Sequence, residues 1–299
     1  RLSQVSEKEL ENRKNRFFKK LSDELNDNRN KNIVISGEDI GNLPTQNLKE
    51  IKTYFGRILP DFSIKVIVYL RNPIGYYTSS KQQVIKRGRE SLNIITVEII
   101  KQKIEKIISV FGRDTIQFIS FEKACKHPFG PVGVFLETIG FPSKKLKQIN
   151  QFRENTSLSY QAIELVEFIN NQYPIIKNNV VNPGRLRNDT AAFHQIEGDK
   201  FFVSTEEQTR VIGGQYESLQ TIKELTGVDY TDVEVKCIQK TGYSVNYARQ
   251  FVSAFYQSNS LIRFFAFQFI ESKLKENLPE NQIEMFKKIK QKLQSDNPD

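Results

Sequence analysis

Residues 65–83 read K-V-I-V-Y-L-R-N-P-I-G-Y-Y-T-S-S-K-Q-Q, and this stretch decides the fold. Val66, Ile67, Val68, Tyr69 and Leu70 are five apolar residues in a row. A strand covered on both faces has no polar side to alternate with, so such a run fits a parallel sheet under helices. Arg71 and Asn72-Pro73 end it abruptly. The pattern from about Tyr76 to Arg87 is helical, and Gly88 stops it. Ligands of open α/β sheets bind just beyond the carboxyl ends of strands, and Arg71 sits at that edge. Ser79 follows eight positions later (79 − 71), placed early in the helix, where backbone N–H groups and the helix dipole favour an anion. A planar guanidinium fork and a hydroxyl are donors suited to a single phosphate. Thr78 and Ser80 offer hydroxyls beside Ser79.

Working outward, residues 32–36 read as a short strand and residues 115–120 as another. Helical periodicity covers 46–59, 95–111, 131–139 and 157–171. Strands alternating with helices predict βαβ units and a parallel sheet. Residues 3–25 carry Leu10, Phe17, Phe18, Leu21 and Leu25 at amphipathic spacing. Residues 175–204 lack a clear period and contain Asn182-Pro183-Gly184, which predicts a long surface loop on the substrate side. Residues 205–226 read as helix and 233–238 as a strand. From Tyr247 to Lys292 the chain is helical, and its phenylalanines read as core. The expected architecture is α/β: an open, mainly parallel sheet flanked by helices over 1–230, with a helical extension over 231–299.

Arg-x-Pro after such a strand, with Ser at +8, resembles the 3′-phosphate-binding segment of sulfotransferases that use 3′-phosphoadenosine 5′-phosphosulfate (PAPS). Further segments are similar in the same order. Asn32-Ile33-Val34-Ile35-Ser36-Gly37-Glu38 resembles the preceding strand of bacterial carbohydrate-type members. Ile116–Glu122, Pro128 and Phe135–Phe141 resemble the later strand, its aromatic-Glu pair and the helix after it. Asn155–Ser159 resembles the turn that follows. The resemblance covers roughly residues 30–230 and implies a P-loop-like fold, with Arg71 and Ser79 holding the nucleotide's 3′-phosphate. It implies PAPS as sulfuryl donor and a carbohydrate or glycoconjugate hydroxyl as acceptor.

The chain departs from that pattern at one place. The family carries a glycine-rich loop, roughly Lys/Arg-x-Gly-Thr-Thr/Ser, ahead of these segments, and nothing before residue 32 matches it. The first residue is Arg1, so the loop is expected upstream of it; otherwise the protein is a non-catalytic relative that holds an acidic glycan or a protein partner. Lys240-Thr241-Gly242-Tyr243-Ser244 has the right context for a phosphate loop but places tyrosine where the family has threonine, and reads as a turn. Another P-loop-type nucleotide enzyme would need G-x-x-x-x-G-K-[S/T], which does not occur.

Sulfuryl transfer needs positioning, neutralisation of leaving-group charge and a base for the acceptor proton. Glu38, at the carboxyl end of the first strand, is one candidate base. His194, in the irregular segment with Arg185, Arg187 and Asp189 nearby, is another, or a contact for an acidic glycan. His127 precedes a proline in a turn and carries no expected role.

Composition narrows the classes. Forty-four Lys and Arg against 35 Asp and Glu give a net charge of +9 over 299 residues. A basic balance points to an anionic partner. The charges are interleaved without long runs of one sign, so nucleic acid is not expected. Cys125 and Cys237 make no disulfide framework and, with no signal-peptide pattern, fit a cytoplasmic protein. No apolar run reaches the roughly 18 residues of a membrane span. Two histidines and two separated cysteines give no metal-ligand spacing, and no metal is expected. G-x-S-x-G and H-E-x-x-H are absent, which argues against the common hydrolase and zinc-protease schemes.

Overall fold

The apolar run forms β1 (Val66–Leu70), which pairs in parallel with β2 (Ile116–Ser120), Val66 opposite Ile116 and Leu70 opposite Ser120. The computed structural model describes residues 6–28, 31–37, 39–90, 92–150, 157–178, 180–238 and 242–295. Before β1 come α1 (Glu7–Asp27) and α2 (Thr45–Ile58). The crossover from β1 to β2 runs through α3 (Pro73–Lys86) and α4 (Val97–Phe111). A parallel pair requires such a crossover. Helix α3 starts three residues earlier than its periodicity predicts. Asn72 caps it by accepting from the Ile74 and Gly75 amides, and Pro73 supplies a fixed φ at the first helical position. Gly88, at φ +73°, ends it.

After β2 follow α5 (Phe121–Ala124), α6 (Gly130–Thr138), α7 (Ser143–Leu146) and α8 (Tyr160–Gln172). Gly213 and Gly214, at φ +55° and +69°, split the expected 205–226 helix into α9 (Thr205–Ile212) and α10 (Tyr216–Thr226). The chain ends in α11 (Tyr247–Gln257), α12 (Ser260–Lys273) and α13 (Glu280–Ser295). The protein is thus mostly helical around a small parallel sheet, which is compatible with an α/β fold.

Three local expectations need correction. Residues 32–36 form no strand; Val34 and Ile35 are half exposed there, and among the described residues β1 pairs with β2 alone. Residues 233–238 form none either. The Gln208 side chain takes the place of a neighbouring strand, accepting from the Lys236 amide at 2.9 Å and donating to the Lys236 carbonyl at 3.0 Å. The 175–204 segment is not an open loop. It holds the short antiparallel pair β3 (Ile176–Lys177) and β4 (Val180–Val181) and a 3₁₀ turn at Ala191–Gln195.

That segment is stapled by a buried ion pair. Arg185 donates from Nε to Asp189 at 2.7 Å, and the two side chains are 0% and 2% exposed. Arg185 also donates to Asn170 Oδ1 at 3.1 Å and to the Tyr173 carbonyl, and Asn170 donates to the Ile85 carbonyl at 2.8 Å. All of this guanidinium's work is internal.

One apolar cluster joins α3 and α8 to the last three helices through Ile74, Tyr77, Ile169, Phe251, Phe269 and Phe286. A smaller cluster packs α4 and α10 under the sheet through Leu70, Val97, Ile222 and Tyr230. Both cysteines are free and exposed. Among the described residues no helix is long and apolar enough to cross a membrane.

Candidate functional site

The carboxyl ends of β1 and β2 lie side by side, so Arg71 and Asn72 leave the sheet next to Phe121 and Glu122. Arg71 Cζ stands 5.0 Å from the centre of the Phe121 ring, a cation–π distance. Its side chain turns back along α3. A Cβ at Gly75 would lie 3.4 Å from Arg71 Nε, so the guanidinium arm passes over the one residue on that face with no side chain. Ser79 is one turn further along the same face, because residues four apart stack on a helix. Arg71, Gly75 and Ser79 therefore form a line. Among the described residues Arg71 has neither an ion pair nor a hydrogen-bond acceptor.

The structure changes one part of the expected anion site. Ser79 is the seventh residue of α3 rather than part of its first turn. The first-turn amides are already occupied: Ile74 and Gly75 donate to Asn72 Oδ1 at 3.0 and 3.2 Å, and Tyr76 donates to the Asn72 carbonyl at 2.7 Å. An anion here would be gripped by side chains rather than by free helix N–H groups. Next to Ser79, Thr78 Oγ1 is buried with no partner among the described residues.

Glu122 supports this rim. Its Oε1 accepts from the Asn72 amide at 2.9 Å, and its Oε2 lies 2.7 Å from the Tyr230 hydroxyl. Tyr230 also reaches the Leu70 carbonyl at 2.8 Å. Burial, together with Glu122, pushes the Tyr230 pKa above the usual tyrosine range, so this phenol stays protonated and remains a donor. Sequence alone placed Phe121-Glu122 in a motif without giving the glutamate a task. The signal was present in the register: Leu70 opposite Ser120 puts Asn72 opposite Glu122 two residues later. No sequence signal pointed to Tyr230, which arrives from 160 residues away.

Two other expectations are located differently. Glu38 lies outside the described residues. The turn just after it is anchored: Lys103 donates to Asn42 Oδ1 at 2.9 Å and lies over the Tyr76 ring, and Lys106 donates to the carbonyls of Gly41 and Leu43. Tyr76 is on the first turn of α3, so this segment and the Arg71 rim are neighbours. His194 sits in the 3₁₀ turn against α8 and α11. Burial, with Lys86 nearby, pushes its pKa down to about 4. Lys86 is the last residue of α3 and Arg71 precedes the first, so about 20 Å of helix separates the two groups. The structure does not bring His194 to Arg71.

Opposite Ser79 on α3, Tyr77 and Lys81 line a cavity of about 240 Å³ together with Asn93, Glu167, Glu207 and Arg210. Lys81 bridges Glu207 at 2.9 Å and Glu167 at 3.3 Å, and Tyr77 donates to Glu207 at 3.3 Å. Burial works against the Lys81 charge, but the two carboxylates outweigh it and hold its pKa up. Glu207 also closes the capping box of α9. These groups satisfy one another and clamp α3 to α8 and α9. The other phosphate-loop candidate is internal as well: Gly242 is at φ +86° and the Tyr243 hydroxyl donates to Glu164 at 2.5 Å, while Lys240 and Thr241 lie outside the described residues.

No family model, no curated protein and no solved structure matches this chain.

Proposed function

We propose that the protein is a PAPS-dependent sulfotransferase acting on a hydroxyl of a carbohydrate or glycoconjugate, built on an open, P-loop-like parallel sheet. The observation that carries the reading is the Arg71 guanidinium at the carboxyl end of β1, which has no ion pair and no acceptor among the described residues, stands over Phe121 and passes Gly75, one helical turn before Ser79. A buried or half-buried arginine is normally matched by a carboxylate. An arginine without one, on the same helix face as a serine hydroxyl one turn on, fits a phosphate dianion, which accepts a bidentate fork.

In this reading PAPS supplies the activated sulfuryl group. Arg71 pairs with two oxygens of the 3′-phosphate, and Ser79 donates to a third. Glu122 is not the acceptor base, because both of its oxygens are committed to Asn72 and Tyr230. His194, beside Lys86 at the far end of α3, is too distant from Arg71 to serve. Glu38 remains the proposed base that takes the acceptor proton, at the end of the 32–37 segment whose following turn is tied to Tyr76 and α4.

The test is binding of 3′-phosphoadenosine 5′-phosphate (PAP) by calorimetry. Arg71→Ala removes a charge-assisted phosphate pair worth about 2–4 kcal/mol, a loss of roughly 30- to 1,000-fold in affinity. Ser79→Ala removes one neutral donor and costs about three- to tenfold. Wild-type PAP affinity in Arg71→Ala would refute the assignment.

A further inference from the structure

The ends of β1 and β2 are knotted together by a third segment of chain. Tyr230, in the turn after α10, is 8% exposed. Its hydroxyl touches the Leu70 carbonyl at 2.8 Å, Glu122 Oε2 at 2.7 Å and Ser120 Oγ at 3.5 Å. Leu70 is the residue before Arg71. Glu122, through its other oxygen, holds the amide of Asn72, the residue after it. Phe121, between Ser120 and Glu122, carries the guanidinium on its ring. One phenol thus contacts the carbonyl before Arg71 directly, the amide after it through Glu122, and the strand end that forms its platform.

Packing does not require that hydroxyl. The Tyr230 ring fills the small core with Leu70, Val97 and Ile222, which phenylalanine would fill equally well. An oxygen buried in such a cluster is costly unless it is hydrogen-bonded. Here the hydrogen bonds converge on the residues that flank Arg71, which has no acceptor among the described residues.

We infer that Tyr230 is a positioning residue for Arg71. The inference rests on the sulfotransferase reading. Its hydroxyl holds the Leu70–Asn72 backbone and the Phe121 platform rigid, so the guanidinium fork is set before the 3′-phosphate arrives. A side chain ordered in advance loses no further freedom on binding, and affinity rises accordingly.

The experiment is a double-mutant cycle read by PAP calorimetry. Tyr230→Phe is expected to lose about five- to tenfold in affinity with its far-UV circular dichroism unchanged. In an Arg71→Lys background the same change is expected to cost less than about twofold, because a lysine ammonium is a point charge that needs no fixed fork. A loss of equal size in both backgrounds would mean that Tyr230 supports the fold generally, and wild-type affinity in Tyr230→Phe would mean that the hydroxyl is idle; either overturns the inference. Should Tyr230→Phe fail to fold, Glu122→Gln carries the same cycle, since its amide oxygen still accepts from Asn72 while the carboxylate facing Tyr230 is gone. Its wild-type affinity, or a loss equal in both backgrounds, overturns the inference too. The parent reading fails separately, through undiminished PAP binding in Arg71→Ala.

Discussion

Arg71 and Arg185 show how two arginines of one chain come to opposite uses. Both lie near the ends of secondary structure and both look like exposed cations in the sequence. Arg185 is 3% exposed and spends its donors on Asp189, Asn170 and Tyr173, whereas Arg71 has an aromatic platform and no acceptor among the described residues. His194 makes a similar point about titratable groups. Its ring is half-buried, Nε2 has no partner among the described residues, and burial lowers its pKa to about 4 from 6.5. The unfolded chain therefore binds a proton that the folded chain refuses between those two values. The neutral ring contributes fully above about pH 6.5, and that contribution is lost as the pH falls toward 4. Lowering the pH from 7 to 4.5 is expected to cost about 2–3 kcal/mol from this residue. Urea unfolding of the wild type and His194→Gln across that range would show it as a shallower pH dependence in the variant; parallel curves would contradict it.

At the scale of elements, caps and side-chain amides decided what pattern alone could not. Asn72 moved the start of α3 back to Pro73, and in doing so it took the amides that an anion would have used. Gln208 satisfied Lys236 and removed the need for a strand at 233–238. The Arg185–Asp189 pair turned an irregular stretch into a fastened one. Removing one partner of a buried pair strands the other charge, at a cost of about 3–5 kcal/mol. Arg185→Met should lose that much stability in urea, and Arg185→Met with Asp189→Leu should recover most of it. A single variant as stable as the wild type would show that the pair does not hold the segment.

Taken as a whole molecule, the main core does not respect the boundary drawn near residue 231. Phe286, fully buried on α13, packs in the same cluster as Ile74 and Tyr77 of α3. Phe286→Ala is expected to cost about 3–5 kcal/mol, the usual range for emptying a buried aromatic site. Hydrogen exchange adds the sharper reading: amides of α3 and α8 should lose protection together with those of α13. If α13 alone exchanged faster, the last helices would be a separable layer. Because α3 carries the Arg71 line, the same variant should also weaken PAP binding at temperatures near its melting transition.

The sequence by itself determined the central strand, the helices around it and the place of Arg71 at the strand's end, because apolar runs, 3.6-residue periodicity and Asn-Pro or Gly punctuation act locally. It could not determine that 32–36 finds no strand partner among the described residues, since a strand exists only with a neighbour to share its backbone hydrogen bonds. Nor could it separate a free guanidinium from a stapled one, or find Tyr230 beside Leu70 and Glu122. Those outcomes depend on which groups meet across 100 residues or more of chain, and only the packed tertiary structure, by excluding water from some polar groups and leaving others open, decides that.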